Sequence, residues 1–137
     1  MKKIIIYTDG GSRGNPGPAA IGVIVLCEGQ AVFEQASTIG VATNNQAEYR
    51  ALLESIKWLL KHQNHLSPTL VTWRLDSRLV IEQVNQNWKI KLPHLKKMAQ
   101  EAWIGLNKLK CQYVIEFVPR EKNVLADALV NQALDAE

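Results

Sequence analysis

The sequence predicts an α/β domain built on a five-stranded mixed sheet flanked by helices. Three observations lead there. Short, β-branched apolar runs recur at the start, middle and end of the chain, apolar residues at helical spacing fill the stretches between the later runs, and turn-forming residues punctuate the joins. The first three runs follow one another through short turns, as antiparallel hairpins do. The last two are reached through helices, as parallel strands require.

Residues 3–8 form the first strand. Asp9 to Pro18 is dense in Gly and Pro and reads as a loop. Ala19 to Cys27 is apolar again, Glu28-Gly29-Gln30 is a turn, and Ala31 to Ile39 completes a three-stranded meander closed by Gly40. Thr43-Asn44-Asn45-Gln46 has the T-x-x-Q capping-box pattern, and Ala47, Ala51, Leu52, Ile56, Leu59 and Leu60 follow at helical spacing, so a helix is expected over 44–62. Ser67-Pro68 breaks the chain before a strand at Leu70 to Leu75. Asp76-Ser77 can cap a helix reaching about Asn87, and Pro93 suits the first turn of another that extends to about Lys110. Cys111 to Val118 is the fifth strand, ended by Pro119, and Asn123 to Ala136 is a last amphipathic helix. The order is βββαβααβα within one domain spanning 1–137.

With 137 residues and 47% apolar content, the chain has room for one core that needs no disulfide or metal to hold it. Disorder, collagen and coiled coil are excluded. Ile4 to Tyr7 is shorter than the about seven to fifteen apolar residues of a signal-peptide core. Nothing approaches the roughly 20 of a membrane span. Cys27 and Cys111 lack metal or disulfide spacing, so a reducing cytosol, and hence a cytoplasmic protein, is expected. The net charge of +3 is mild, but Lys89, Lys91, Lys96 and Lys97 cluster beside Trp88, a pattern shared by solvated helix faces and nucleic-acid-binding surfaces.

The acidic residues carry the chemistry. Asp9 directly follows the first predicted strand and Asp76 the fourth, the end at which α/β sheets bind ligands. Glu48 lies in the first two turns of the first helix and Asp127 in the first turns of the last. Each has a simple alternative: Asp76 as a helix cap, Glu48 and Asp127 as helix-dipole partners, Asp9 as an Asx turn. Together, four carboxylates in one crevice would repel each other unless cations sat among them, and hard oxygen ligands suit magnesium or manganese. Two such ions roughly 4 Å apart serve phosphodiester hydrolysis. Other chemistries fit poorly. His62, His65 and His94 lack metal or triad spacing, no GxSxG or HExxH motif occurs, and the Gly-rich loop is neither GxGxxG nor a P-loop.

Four ordered blocks resemble the type 1 ribonucleases H over nearly the whole chain: Tyr7 to Pro18, Thr43-Asn44-Asn45-Gln46-Ala47-Glu48, Leu75-Asp76-Ser77 and Asn123-Val124-Leu125-Ala126-Asp127. The resemblance implies the ribonuclease H fold and catalytic, metal-binding carboxylates at Asp9, Glu48, Asp76 and Asp127. It further implies magnesium-dependent, internal cleavage of the RNA strand of RNA/DNA hybrids, leaving 5′-phosphate and 3′-hydroxyl ends. Two Mg2+ ions are expected during catalysis, with Mn2+ a possible substitute, in a protein that works as a monomer away from membranes. Asn15, Asn44 and Asn45 match positions that contact the hybrid across the minor groove. Thr43 matches a DNA-phosphate pocket, and Trp88-Lys89 lie where the family contacts the DNA strand.

Three features depart from many members. A basic protrusion is absent, because Trp88-Lys89-Ile90-Lys91-Leu92-Pro93 runs straight on. Leu92 stands where an Asn often contacts phosphate. The loop before the last acid is shortened to Pro119-Arg120-Glu121-Lys122 and contains no His, which places the chain with the compact branch found in archaea and many bacteria. Arg120 can supply charge there but not a base. The alternatives are a non-catalytic binding module of the same fold and a related metal-dependent nuclease with another substrate, double-stranded RNA included.

Overall fold

A computed structural model describes residues 2–136. The elements run β1 (Lys3–Ser12), β2 (Gly17–Cys27), β3 (Gln30–Ala42), α1 (Asn44–Leu66), β4 (Leu70–Leu75), α2 (Arg78–Val84), α3 (Pro93–Leu106), β5 (Gln112–Phe117), a 3-10 turn (Arg120–Lys122) and α4 (Val124–Asp135). One sheet has the order β3-β2-β1-β4-β5. β1, β2 and β3 pair antiparallel, while β4 pairs parallel with β1 and β5 parallel with β4. The expected order and the mixed sheet are present.

Several boundaries differ. The first two strands extend into the predicted loop, through pairs such as Gly10↔Ile21 and Ser12↔Ala19. Glycine is compatible with extended backbone, and here a long hairpin ladder satisfies its polar groups. Asp9 therefore lies inside β1, not in an Asx turn after it. β3 likewise runs through Gly40, whose φ of 81° sits beside a register shift at Ala19/Ala20. α1 continues to Leu66, while α2 stops at Val84 and α3 at Leu106. Ser77, not Asp76, caps α2, its Oγ accepting from Val80 N at 3.3 Å. The Thr43–Gln46 capping box forms as expected, with both reciprocal bonds present.

The main core lies between the sheet and α1–α3, with Ile4, Ile6, Leu52, Leu59, Val71 and Trp73 all at 0% exposure. A smaller cluster of Ala20, Val130, Ala133 and Leu134 packs α4 against the sheet. Two glycines let these helices approach. A Cβ on Gly10 would stand 2.2 Å from the carbonyl carbon of Ala47 in α1, and one on Gly22 would stand 2.3 Å from the carbonyl oxygen of Ala126 in α4. Gly22 is the cross-strand partner of Asp9, so both close approaches occur beside the first acid. Among the described residues no helix is long and apolar enough to cross a membrane.

Candidate active site

The last parallel pair between β1 and β4 is Tyr7↔Arg74, so the two strands part just before Asp9 and Asp76. That divergence opens a cleft at the carboxyl end of the parallel strands. The cleft has a volume of ≈ 400 Å³, and Asp9, Glu48, Asp76, Asp127, Asn44 and Arg120 are among the residues lining it. All four predicted acids thus face one space.

Three of them are closer still. Carboxylate oxygens of Asp9, Glu48 and Asp76 lie within 4.8 Å of one another. Asp127 stays outside that set, its Oδ1 3.8 Å from the Arg120 guanidinium and its Oδ2 accepting from Asn131 Nδ2 at 3.4 Å. Glu48 is anchored by the Gly10 N–H, which donates to its Oε1 at 2.7 Å. Asp76 accepts from Asn123 Nδ2 at 3.3 Å.

Burial, reinforced by the negative charge of Asp76, pushes the Asp9 carboxyl up to about 7. Glu48 is also raised well above the usual carboxylate range, first by burial and then by the charges of Asp9 and Asp76. The Gly10 N–H opposes that rise without cancelling it. Burial and mutual repulsion thus both disfavour the charged carboxylates unless a cation joins them. Hard oxygen donors at this spacing suit a divalent cation such as magnesium or manganese, and the residues present fit one.

Of the predicted asparagines, Asn44 and Asn45 line the cleft, and Asn15 braces Asn44 from behind. Asn44 Oδ1 accepts from Ser12 N at 2.9 Å, and Asn15 Oδ1 accepts from Asn44 N at 3.0 Å. Among the described residues neither side-chain NH2 group has an acceptor, and both residues are exposed. Asn45 lines the cleft beside them. Thr43 Oγ1 accepts from Gln46 N at 3.2 Å, so its cap role is real while its hydroxyl hydrogen remains available. Trp88 and Lys89 do not join the acids. They line a second groove of ≈ 420 Å³ with Gln86, Lys91, Lys96 and Trp103. None of the three histidines lines the cleft; His62 instead stacks on Trp58 at 4.2 Å. Cys27 and Cys111 are free thiols.

Sequence reasoning missed Ser12, Asn131 and the role of Asn123. Asn131 follows Asp127 by one helical turn, a spacing that would have revealed it. Asn123 opens the fourth motif block, but its contacts span 115 and 47 residues of chain, which no local pattern reveals.

A family model described as reverse transcriptase-like matches residues 7–133. A bifunctional protein of Mycobacterium tuberculosis is 40% identical over 98% of the chain, which spans 36% of that relative's length. RNase H1 from Halobacterium salinarum superposes with a TM-score of 0.88 at 40% identity, covering 98% of this chain and 99% of that one. LC11-RNase H1, solved in complex with RNA/DNA hybrid, gives a TM-score of 0.90 at 41% identity, covering 97% of both chains. Matches of this extent, on top of four motifs that fold into one cleft, have a plain consequence: the chain belongs to the ribonuclease H family.

Proposed function

We propose that this chain is a metal-dependent endonuclease that hydrolyses the RNA strand of RNA/DNA hybrids, leaving 5′-phosphate and 3′-hydroxyl ends. The observation that carries the reading is the cluster of Asp9, Glu48 and Asp76 oxygens within 4.8 Å, at the mouth of a cleft rimmed by amide donors. Asp9, Glu48 and Asp76 would hold one Mg2+, and Asp127 would help hold a second. Mn2+ fits the same donors. Such a pair supplies neutralisation of phosphodiester charge and activation of water for in-line attack.

The chain's own groups do the rest. Glu48, held by the Gly10 N–H, keeps its carboxylate aimed into the cluster. Arg120 places positive charge at the rim, where it stabilises negative charge growing on the phosphate. The outward NH2 groups of Asn15 and Asn44, with Asn45, suit 2′-hydroxyls and base edges in a minor groove. The Thr43 hydroxyl and the Trp88–Lys89 groove suit the phosphates and sugars of the DNA strand. LC11-RNase H1 in complex with RNA/DNA hybrid supports hybrid as the substrate. With these four acids in one cleft, a single copy of the chain would suffice to act as a monomer. The two free thiols fit a reducing compartment such as the cytoplasm.

The test is cleavage of a labelled RNA/DNA hybrid in Mg2+, beside matched double-stranded RNA, single-stranded RNA and double-stranded DNA. Internal cuts confined to the hybrid's RNA strand are expected. Asp76→Asn should abolish turnover while hybrid binding survives. Hybrid bound but uncut in either metal would turn the reading to a binding module, and cleavage of another substrate in preference would turn it to a related nuclease.

A further inference from the structure

Asn123 is the N-cap residue of α4, yet its side chain makes no cap hydrogen bond. An Asn at this position ordinarily turns its side-chain oxygen onto the helix's own first amides. Here the residue is fully buried, at 0% exposure, and points the other way. Its Nδ2 donates to the carbonyl of Thr8 at 2.9 Å and to Asp76 Oδ2 at 3.3 Å. Its own carbonyl accepts from Asp127 N at 3.1 Å. One residue therefore touches the peptide before Asp9, the carboxylate of Asp76 and the backbone of Asp127.

The Thr8 carbonyl fixes the orientation of the amide, because it can only accept; exchanging the amide's N and O would set oxygen against oxygen there. The two hydrogens of the NH2 group are both used. Its Oδ1, by contrast, is buried without a partner. A residue that gives up its helix cap and leaves a buried oxygen unpaired is badly placed for stability alone.

We propose that Asn123 is a positioning residue for the metal site, tying Asp76 to β1 and to the start of α4 so that the separate acids hold one geometry. The inference rests on the metal-dependent reading above. A neutral amide suits the task. It fixes one carboxylate oxygen of Asp76 and leaves its remaining lone pairs free, whereas a Lys or Arg in its place would compete with the cation. Groups that orient metal ligands in this way typically contribute about ten- to a hundredfold in metal affinity or activity.

The experiment measures Mn2+ binding to the hybrid-free protein by isothermal titration, together with kcat and KM on hybrid, for wild type and Asn123→Ser. Serine is a good helix cap but too short to reach Asp76. The expected result is about ten- to a hundredfold weaker Mn2+ binding and a comparable fall in kcat, with KM within about threefold. In an Asp76→Asn background the same substitution should cost no further metal affinity, since its partner is gone. Asn123→Ser with wild-type metal affinity and kcat, or a loss that persists in full in the Asp76→Asn background, overturns the proposal.

A second measurement does not depend on the variant folding. In 15N-labelled wild type the Asn123 side-chain NH2 should be protected from exchange and should shift in step with Mg2+ titration. An NH2 signal that exchanges freely and ignores the metal overturns the proposal. A wild-type protein that takes up neither metal removes the metal reading itself, and this inference with it.

Discussion

The backbone N–H of Gly10 donates to Glu48 Oε1 at 2.7 Å, so α1 is docked onto β1 at the residue that follows Asp9. This bond, with the packing of α1 on β1, links two acids that stand 39 positions apart in the chain. It works only because Gly10 has no Cβ. Its neighbour across the contact, the Ala47 carbonyl carbon, would lie 2.2 Å from one.

Gly10→Ala should therefore lift the start of α1 from the sheet. The clash is with backbone, which cannot rotate away, so a destabilisation of about 2–4 kcal/mol is expected. Activity should fall further than stability, because Glu48 moves with the helix. Urea unfolding and hybrid cleavage on one preparation check both. Wild-type activity in a folded Gly10→Ala would show that the docking bond is dispensable.

The raised Asp9 carboxyl predicts how the metal-free protein responds to pH. Its folded value of about 7 exceeds the ordinary 3.8, so the folded state holds the proton more tightly than the unfolded one. The stability linked to that proton is complete below about pH 4 and is lost as pH rises towards 7. In EDTA the Tm should accordingly drop across that window, and Mg2+ at pH 8 should restore it by binding only the folded state. Asp9→Asn should raise metal-free stability at pH 8 by about 1–3 kcal/mol, the charge being gone, while abolishing turnover. A metal-free Tm that is flat from pH 4 to 7 would contradict the assignment.

Arg120 is 82% exposed and 3.8 Å from Asp127, so the pair adds little to stability. Arg120→Ala should leave Tm unchanged but lower kcat by roughly three- to tenfold at low salt, with the deficit shrinking as salt screens the lost charge. Arg120→Lys should recover most of the loss. Steady-state rates at two ionic strengths decide it.

Trp88 stands half-exposed in the groove away from the acids. Trp88→Ala should raise KM for hybrid by about threefold to tenfold through lost contact with the DNA strand, with kcat nearly intact. A kcat defect with unchanged KM would mean that this groove does not hold substrate.

Much of this protein was legible before folding is considered. Apolar runs and helical apolar spacing identify every strand and α-helix, though not the 3-10 turn at Arg120–Lys122, and the T-x-x-Q box marks the start of α1, because these signals come from neighbours within a turn or two. The four acids were legible as a set for a different reason. Each is read from the sequence beside a strand end or in the first turns of a helix, so topology directs them to the carboxyl end of the parallel strands, although Asp9 itself lies within β1. Boundaries were less legible where local chemistry and pairing disagree. Gly10 and Gly11 read as loop, but the hairpin ladder with Ile21 and Ala20 draws them into β1.

The sequence by itself thus determined the βββαβααβα order and pointed to the four acids that line one cleft, since both follow from local preference and from motif. Only the tertiary structure decided that Asp9, Glu48 and Asp76 close to within 4.8 Å while Asp127 lines the same cleft outside that set, bonded to Asn131. It alone placed Trp88 and Lys89 in a separate groove and turned Asn123 away from its own helix towards Asp76. The physical reason is range. Propensity acts over a few residues, whereas these placements depend on close helix–sheet approach at Gly10 and Gly22 and on hydrogen bonds that join segments far apart in the chain.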